Sequence, residues 1–198
     1  MYVQNMTGIQ IGCVIMILGS TLTIPWGLAV AVITRRIETG IPMFTYMQVA
    51  CVGIALPLAV LLPTVWGVAA FRPDDVAPDI TRMLHDLGWF LYLFTWPPFA
   101  VWCVAIGLPI LGDKRPEPVF PRWVGFFNLW VAVLEAPAGL LIFFKQGPFS
   151  YNGIICFYLP SIVYFAWICV MTSTVIKAAN REKGNVARAT GRGEAMAH

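Results

Sequence analysis

Five apolar stretches, near 8–33, 43–70, 85–111, 122–144 and 153–177, constrain the fold of this chain more than any other feature. A helix rising ~1.5 Å per residue needs about 20 apolar residues to cross a bilayer core, and each stretch is long enough. Each is also too long and too evenly apolar for a strand of an outer-membrane barrel, which alternates over about 10 residues. Helices are the other structure that satisfies every backbone N–H and C=O inside lipid. Composition agrees: hydrophobic residues make up 59% and charged residues 12% of the chain, where soluble domains carry about 25% charged. The expected fold is all-α: an integral membrane helical bundle of five transmembrane helices in a single membrane domain over 1–180. A disordered cytoplasmic tail is expected over 181–198. The N-terminus has neither the basic region nor the small-residue cleavage site of a signal peptide, so the first stretch reads as a retained span.

Orientation follows from the basic residues. The first and third loops and the C-terminal segment hold Arg35, Arg36, Lys114, Arg115, Arg122, Lys177, Arg181, Lys183, Arg188 and Arg192. Only Arg72, Arg82 and Lys145 fall on the other side. Cytoplasmic loops are enriched in Lys and Arg, which puts the N-terminus outside and the C-terminus in the cytoplasm. The tail "KAANREKGNVARATGRGEAMAH" reads as a solvated topology determinant whose start can meet anionic lipid head groups, at about 1 kcal/mol per charge. It is not a nucleic-acid patch.

Several chemistries are excluded by what is missing. The chain has two histidines, His85 and His198, no HExxH, no CxxC, no P-loop and no GxGxxG. A di-iron membrane centre needs many histidines and a bis-histidine haem needs two inside the bundle, so neither a metal site nor a cofactor is expected, and a redox metalloenzyme is not. Cys13, Cys51, Cys103, Cys156 and Cys169 all lie inside spans and read as small core residues rather than a disulfide framework. Pro25, Pro57, Pro63, Pro97, Pro98, Pro109, Pro137 and Pro160 also lie within the apolar stretches, so several helices are expected to be proline-kinked. Gly8 and Gly12 have the GxxxG spacing of close helix contacts. Trp26, Trp66, Trp123 and Tyr151 lie towards span ends, where aromatic belts form.

One carboxyl sits where carboxyls are costly. In "NLWVAVLEAPAGLLIFF", Glu135 lies near the middle of the fourth stretch. A charged residue at that depth costs about 2.5–3.5 kcal/mol on insertion scales, so such residues face the bundle interior and find partners. At the helical period Asn128, Val131, Ala132, Glu135, Ala138, Gly139 and Ile142 share one small, polar face. Three roles are open to Glu135: a protonated packing residue bonded to a neighbouring helix, a polar anchor in a cavity for an apolar molecule, or a proton-transfer group. The third needs a second acid or base, for which His85 and Asp86 are the candidates. In the third stretch His85, Trp89, Tyr92, Trp96 and Phe99 fall on one face. That aromatic stripe suits either simple packing above a helix N-terminus or the mouth of a pocket with Asp74, Asp75 and Arg82.

The stretches "FRPDD…TRMLHDLGWFLY", "PVFPRWVGFFNLWVAVLEAPAG", "FFKQGPFSYNGIICFYLP" and "VMTSTVIKAAN" resemble a family of small bacterial multispan membrane proteins, a domain of unknown function. The resemblance runs from about Thr7 to Asn180. It implies a multi-pass protein of the bacterial inner membrane and brings no catalytic residues with it. Members usually begin with one more hydrophobic span, before the position of "NMTGIQIG", and carry an apolar residue at the position of Glu135.

The expected function is a binding or accessory subunit for a hydrophobic small molecule, a lipid or a partner membrane protein, with membrane lipids and copies of itself as further partners. Glu135 and Asn128 would supply the polar contacts, and Trp89, Tyr92 and Trp96 the apolar wall. The alternatives are a cofactor-free intramembrane enzyme for proton chemistry, such as lipid or isoprenoid isomerisation, and a small transporter.

Overall fold

In the computed structural model, which describes residues 4–196 and side chains as far as Gly184, the chain is a bundle of helices with no strand among the described residues. Seven α-helices follow one another: α1 (Met6–Thr21), α2 (Thr23–Arg35), α3 (Met43–Ala69), α4 (Pro78–Leu93), α5 (Trp96–Gly112), α6 (Arg122–Leu134) and α7 (Leu159–Met196). A 3-10 segment, Ala136–Phe143, continues α6, and a π-helical turn, Ile154–Tyr158, precedes α7. Taken end to end they form five helices long and apolar enough to cross a membrane: Met6–Arg35, Met43–Ala69, Pro78–Gly112, Arg122–Phe143 and Ile154–Gly184. The third begins at Pro78, earlier than the apolar pattern alone suggests. Pro78 and Asp79 form the first turn of α4, where a missing N–H costs nothing and a carboxylate meets the positive helix end.

Four of the five spans are interrupted, and each interruption adjoins a proline. A proline at position i leaves the carbonyl at i−4 without its helical donor. Pro25 does this to Thr21, the last residue of α1. Pro97 and Pro98 do it to Leu93 and Phe94, where α4 ends. Pro137 coincides with the change from α to 3-10, and Pro160 with the change from π to α. By contrast, α3 is assigned as unbroken helix through Pro57 and Pro63, and α5 through Pro109.

Side chains pack into two separate cores. The larger lies towards the end where the first and third loops emerge and is built from Trp102, Ile106, Ile110, Phe120, Trp167 and Met171, with Trp26 edge-on to Trp102 and Trp167. The smaller lies towards the other end, around Leu93, Ala138, Leu141 and Cys156, with Trp89, Tyr92 and Trp96 against it. Trp26 and Trp66 are half-buried and pack on other aromatic rings, whereas Trp123 is exposed as a belt residue would be. Backbones of α5 and α6 approach each other closely. A Cβ at Gly107 would stand 2.9 Å from the Gly125 carbonyl oxygen, and one at Gly125 2.7 Å from Leu111 Cγ. A Cβ at Gly8 or Gly12 would have nothing within 4 Å, so their GxxxG spacing marks no helix contact among the described residues.

One end of the bundle is tied by charge. Arg115 bonds Asp113 through Nε at 2.8 Å and donates to the Arg36 carbonyl at 3.1 Å. Arg36 pairs with Glu182, and Arg181 donates to the Pro118 carbonyl. Glu38 accepts from the N–H groups of Phe44 and Thr45 and caps α3. The first loop, the third loop and α7 therefore share one end, as an alternating path through five spans requires. The segment from 181, expected to be loose, begins as a continuation of α7, with Arg181 and Glu182 held by these bonds. His198 lies outside the described residues.

Candidate functional site

The helix interruptions meet at one level, and a cavity of about 250 Å³ lies there. Ser20 and Thr23 flank the break between α1 and α2. Leu93, Thr95 and Trp96 flank that between α4 and α5. Glu135 is the last residue before the 3-10 segment, and Pro160 and Ser161 follow the π turn. All of them line the cavity, with α3 closing one side through Cys51, Ala55 and Leu62. Irregular backbone inside a bilayer is stable where it is buried in protein or faces a cavity. The cavity also separates the two cores: Trp102 and Val52 belong to the larger, Leu93 and Tyr92 to the smaller.

Glu135 is 7% exposed, and its Oε1 has no hydrogen-bond partner. Two further cavity residues, Trp102 and Ser161, also carry a buried polar atom without a partner, Nε1 and Oγ respectively. Among the described residues only one other side-chain atom is in this condition, Oε1 of Gln48, one helical turn from Val52. Buried polar atoms are nearly always paired, and three of these four unpaired atoms belong to residues that line one space. The rest of the wall is apolar or weakly polar. It contains no Lys, Arg, His or Asp, and its other polar groups are the Trp96 indole N–H, the Cys51 thiol and the hydroxyls of Ser20, Thr23, Tyr92, Thr95 and Tyr164. Thr95 is already engaged, donating to the Tyr92 carbonyl at 2.6 Å.

Of the residues singled out from the sequence, Glu135, Tyr92 and Trp96 come together at the cavity. Asn128 does not. It is fully buried and satisfied: its amide nitrogen donates to the Val124 carbonyl at 2.8 Å and lies 3.4 Å from Met171 Sδ, and its oxygen accepts from Trp167 Nε1 at 2.9 Å. Its role is to join α6 to α7. Trp89 also lies elsewhere, between Trp66, Tyr151 and Phe157, and donates Nε1 to His85 Nε2 at 3.0 Å. His85 stacks on Trp66, and its carbonyl accepts from Trp66 Nε1 at 3.3 Å. Asp86 is exposed. Neither His85 nor Asp86 lines the cavity with Glu135. The face drawn through Glu135 also changes course. Ile142 is 56% exposed and Leu141 is buried, because a 3-10 segment turns every three residues and brings 138 and 141, not 142, beneath 135. Trp102, Ser161 and Tyr164 escape the sequence reading. The one available signal is a serine beside a proline inside an apolar run, "FYLPSIVYF".

No group of three or more His, Cys, Asp or Glu side chains arranged to hold a metal ion occurs among the described residues. Comparison with known proteins gives no match to a family model, to a curated protein or to a solved structure.

Proposed function

We propose that this multi-pass membrane protein is a binding or accessory subunit that holds a hydrophobic small molecule or lipid in its mid-span cavity, with Glu135 as the polar anchor. One observation carries the reading: the unpaired Glu135 Oε1, Trp102 Nε1 and Ser161 Oγ belong to residues lining one space of about 250 Å³. Ligand sites are mostly apolar concavities with a few convergent polar groups, and this cavity has that make-up. Proton-transfer catalysis has less support, since it calls for a partner of complementary pKa and Glu135 is the only carboxyl in the wall. The excess of basic residues at the end holding Arg36, Arg115 and Arg181 supports placing that end in the cytoplasm of a bacterial inner membrane.

The test is native mass spectrometry of the protein extracted gently from its own membrane, beside a Glu135→Leu variant. The expected result is a stoichiometric small molecule on the first that is missing from the second. Finding only bulk lipid on both, with unchanged stability, would return Glu135 to a packing role.

A further inference from the structure

We propose that the cavity opens sideways into the bilayer, between α1 and the start of α7, and takes up the hydrocarbon chain of a membrane-resident molecule through that opening. This rests on the binding role proposed above and deepens it by naming the ligand's class and its source.

The opening follows from how the helices are joined. On the side of the smaller core, packing runs from α1 to α3, from α3 to α4, from α4 to the 3-10 segment, and on through the π turn to α7. The ring stops there. α1 rests on α3, where Gln10 Nε2 donates to the Ala70 carbonyl at 3.0 Å, and it has no more than marginal contact with α7. On the side of the larger core the same two spans are joined. There α2 packs on α7, Trp26 Nε1 donates to Thr172 Oγ1 at 2.9 Å, and the Trp26 and Trp167 rings meet edge-on at 5.2 Å. The first span therefore holds the fifth after its break at Leu22 and parts from it before that break.

The cavity lies in the parting. Met16 and Ser20 of α1 line it from one side and Ser161 and Tyr164 of α7 from the other, and it is not fully enclosed. Met16 itself is 37% exposed. Ser20 is half-way along the span Met6–Arg35, so the opening meets hydrocarbon rather than water.

In water such a cleft would close, because burying apolar surface is favourable. Lipid tails are as apolar as the helices, so no hydrophobic force draws α1 and α7 together in a bilayer. An empty apolar wall forfeits dispersion contacts, and at this depth the molecules at hand to restore them are hydrocarbon chains. An apolar cavity of about 150 Å³ admits a benzene ring, so about 250 Å³ has room for a length of chain. The wall suits one: it is mostly apolar and carries no Lys, Arg, His or Asp.

The test places the protein in nanodiscs of phosphatidylcholine, part of which carries a diazirine in the middle of one chain. After photolysis, labelled residues are mapped by mass spectrometry. A lipid of this kind does not reach the cavity through water. The expected result is label on Glu135 and Phe99 in the cavity wall as well as on Ile162 and Phe165, which face outward. Ser20→Trp and, separately, Met16→Trp narrow the opening and should lower the inner label about fivefold or more, with the outer label unchanged. Leu91→Trp, on the α3–α4 side of the wall, should leave both labels as they are. Loss of the inner label in Leu91→Trp but in neither α1 variant would move the entrance between α3 and α4 and overturn the assignment. Outer label alone on the parent protein would mean that no chain enters. If native mass spectrometry then still finds a molecule that Glu135→Leu loses, the side entrance fails and the binding role stands; if it finds none, both fail.

Discussion

Trp167 gives its indole N–H to the side-chain oxygen of Asn128 at 2.9 Å, and neither residue has any exposed surface. The bond holds α7 to α6 in the larger core, just below the cavity. Removing the acceptor would strand a buried donor, which costs more than the bond itself contributes. Asn128→Leu is expected to destabilise the protein by about 1–2 kcal/mol, within the range of hydrogen bonds inside membrane bundles. Ligand capture should be unchanged. Denaturant titration in micelles, beside the native mass spectrum, separates this from Glu135→Leu, which should lose the ligand and little stability.

Gly107 and Gly125 set the spacing of α5 and α6. A methyl group at Gly107 would press on the Gly125 carbonyl oxygen, which is backbone and cannot swing aside. Gly107→Ala is expected to cost about 1–3 kcal/mol through forced separation. Gly12→Ala meets nothing within 4 Å and should be neutral or slightly stabilising through helix propensity. Thermal unfolding of the two variants side by side is the check.

Asp113 makes the charged end sensitive to acid. Hydrogen bonds from the Arg115 guanidinium, aided by the backbone N–H groups of Val119 and Arg115, hold its carboxyl below the usual carboxylate range. The folded value is depressed, so this stabilisation is present above the unfolded carboxyl value of about 3.9 and is lost as pH falls through the lower folded one. Asp113→Asn should therefore cost about 1–3 kcal/mol at pH 7, with the gap to the parent protein narrowing below about pH 4. Unfolding midpoints at pH 7 and pH 3 measure it.

Two acidic residues at that same end should differ in weight. Glu38 receives the first free N–H groups of α3, and Glu38→Ala should cost about 1 kcal/mol, as loss of a helix cap does. Glu182 makes a half-exposed pair with Arg36, worth under about 1 kcal/mol and screened by salt. Glu182→Ala should move the melting temperature little, and less still at 0.5 M salt.

Hydropathy was enough to locate the five spans, because lipid leaves helices as the one open structure for such stretches. Glu135 was legible for the same reason: a carboxyl in an apolar helix must face inward. The rest of the site depends on how helices meet, and a single sequence carries little of that. Asn128 and Glu135 share a face at the α-helical period, yet Asn128 finds Trp167 and Met171 on α7 while Glu135 faces a gap. Ile142 leaves the face because Pro137 coincides with a tighter turn, a change that a fixed 3.6-residue period cannot register. Trp89 shares the stripe of Tyr92 and Trp96 but lies three residues further than Tyr92 from the break at Phe94 and Thr95, and it packs with His85 instead. Ser161 is one of many small residues in apolar segments until the π turn before it is known.

The two cores also have a consequence for how the bundle is joined. The cavity lies between the two cores. The protein is in effect two short bundles, joined where four of its five spans lose regular backbone bonding. Only α3 runs as unbroken helix past the seam, so it is the element that couples the two bundles.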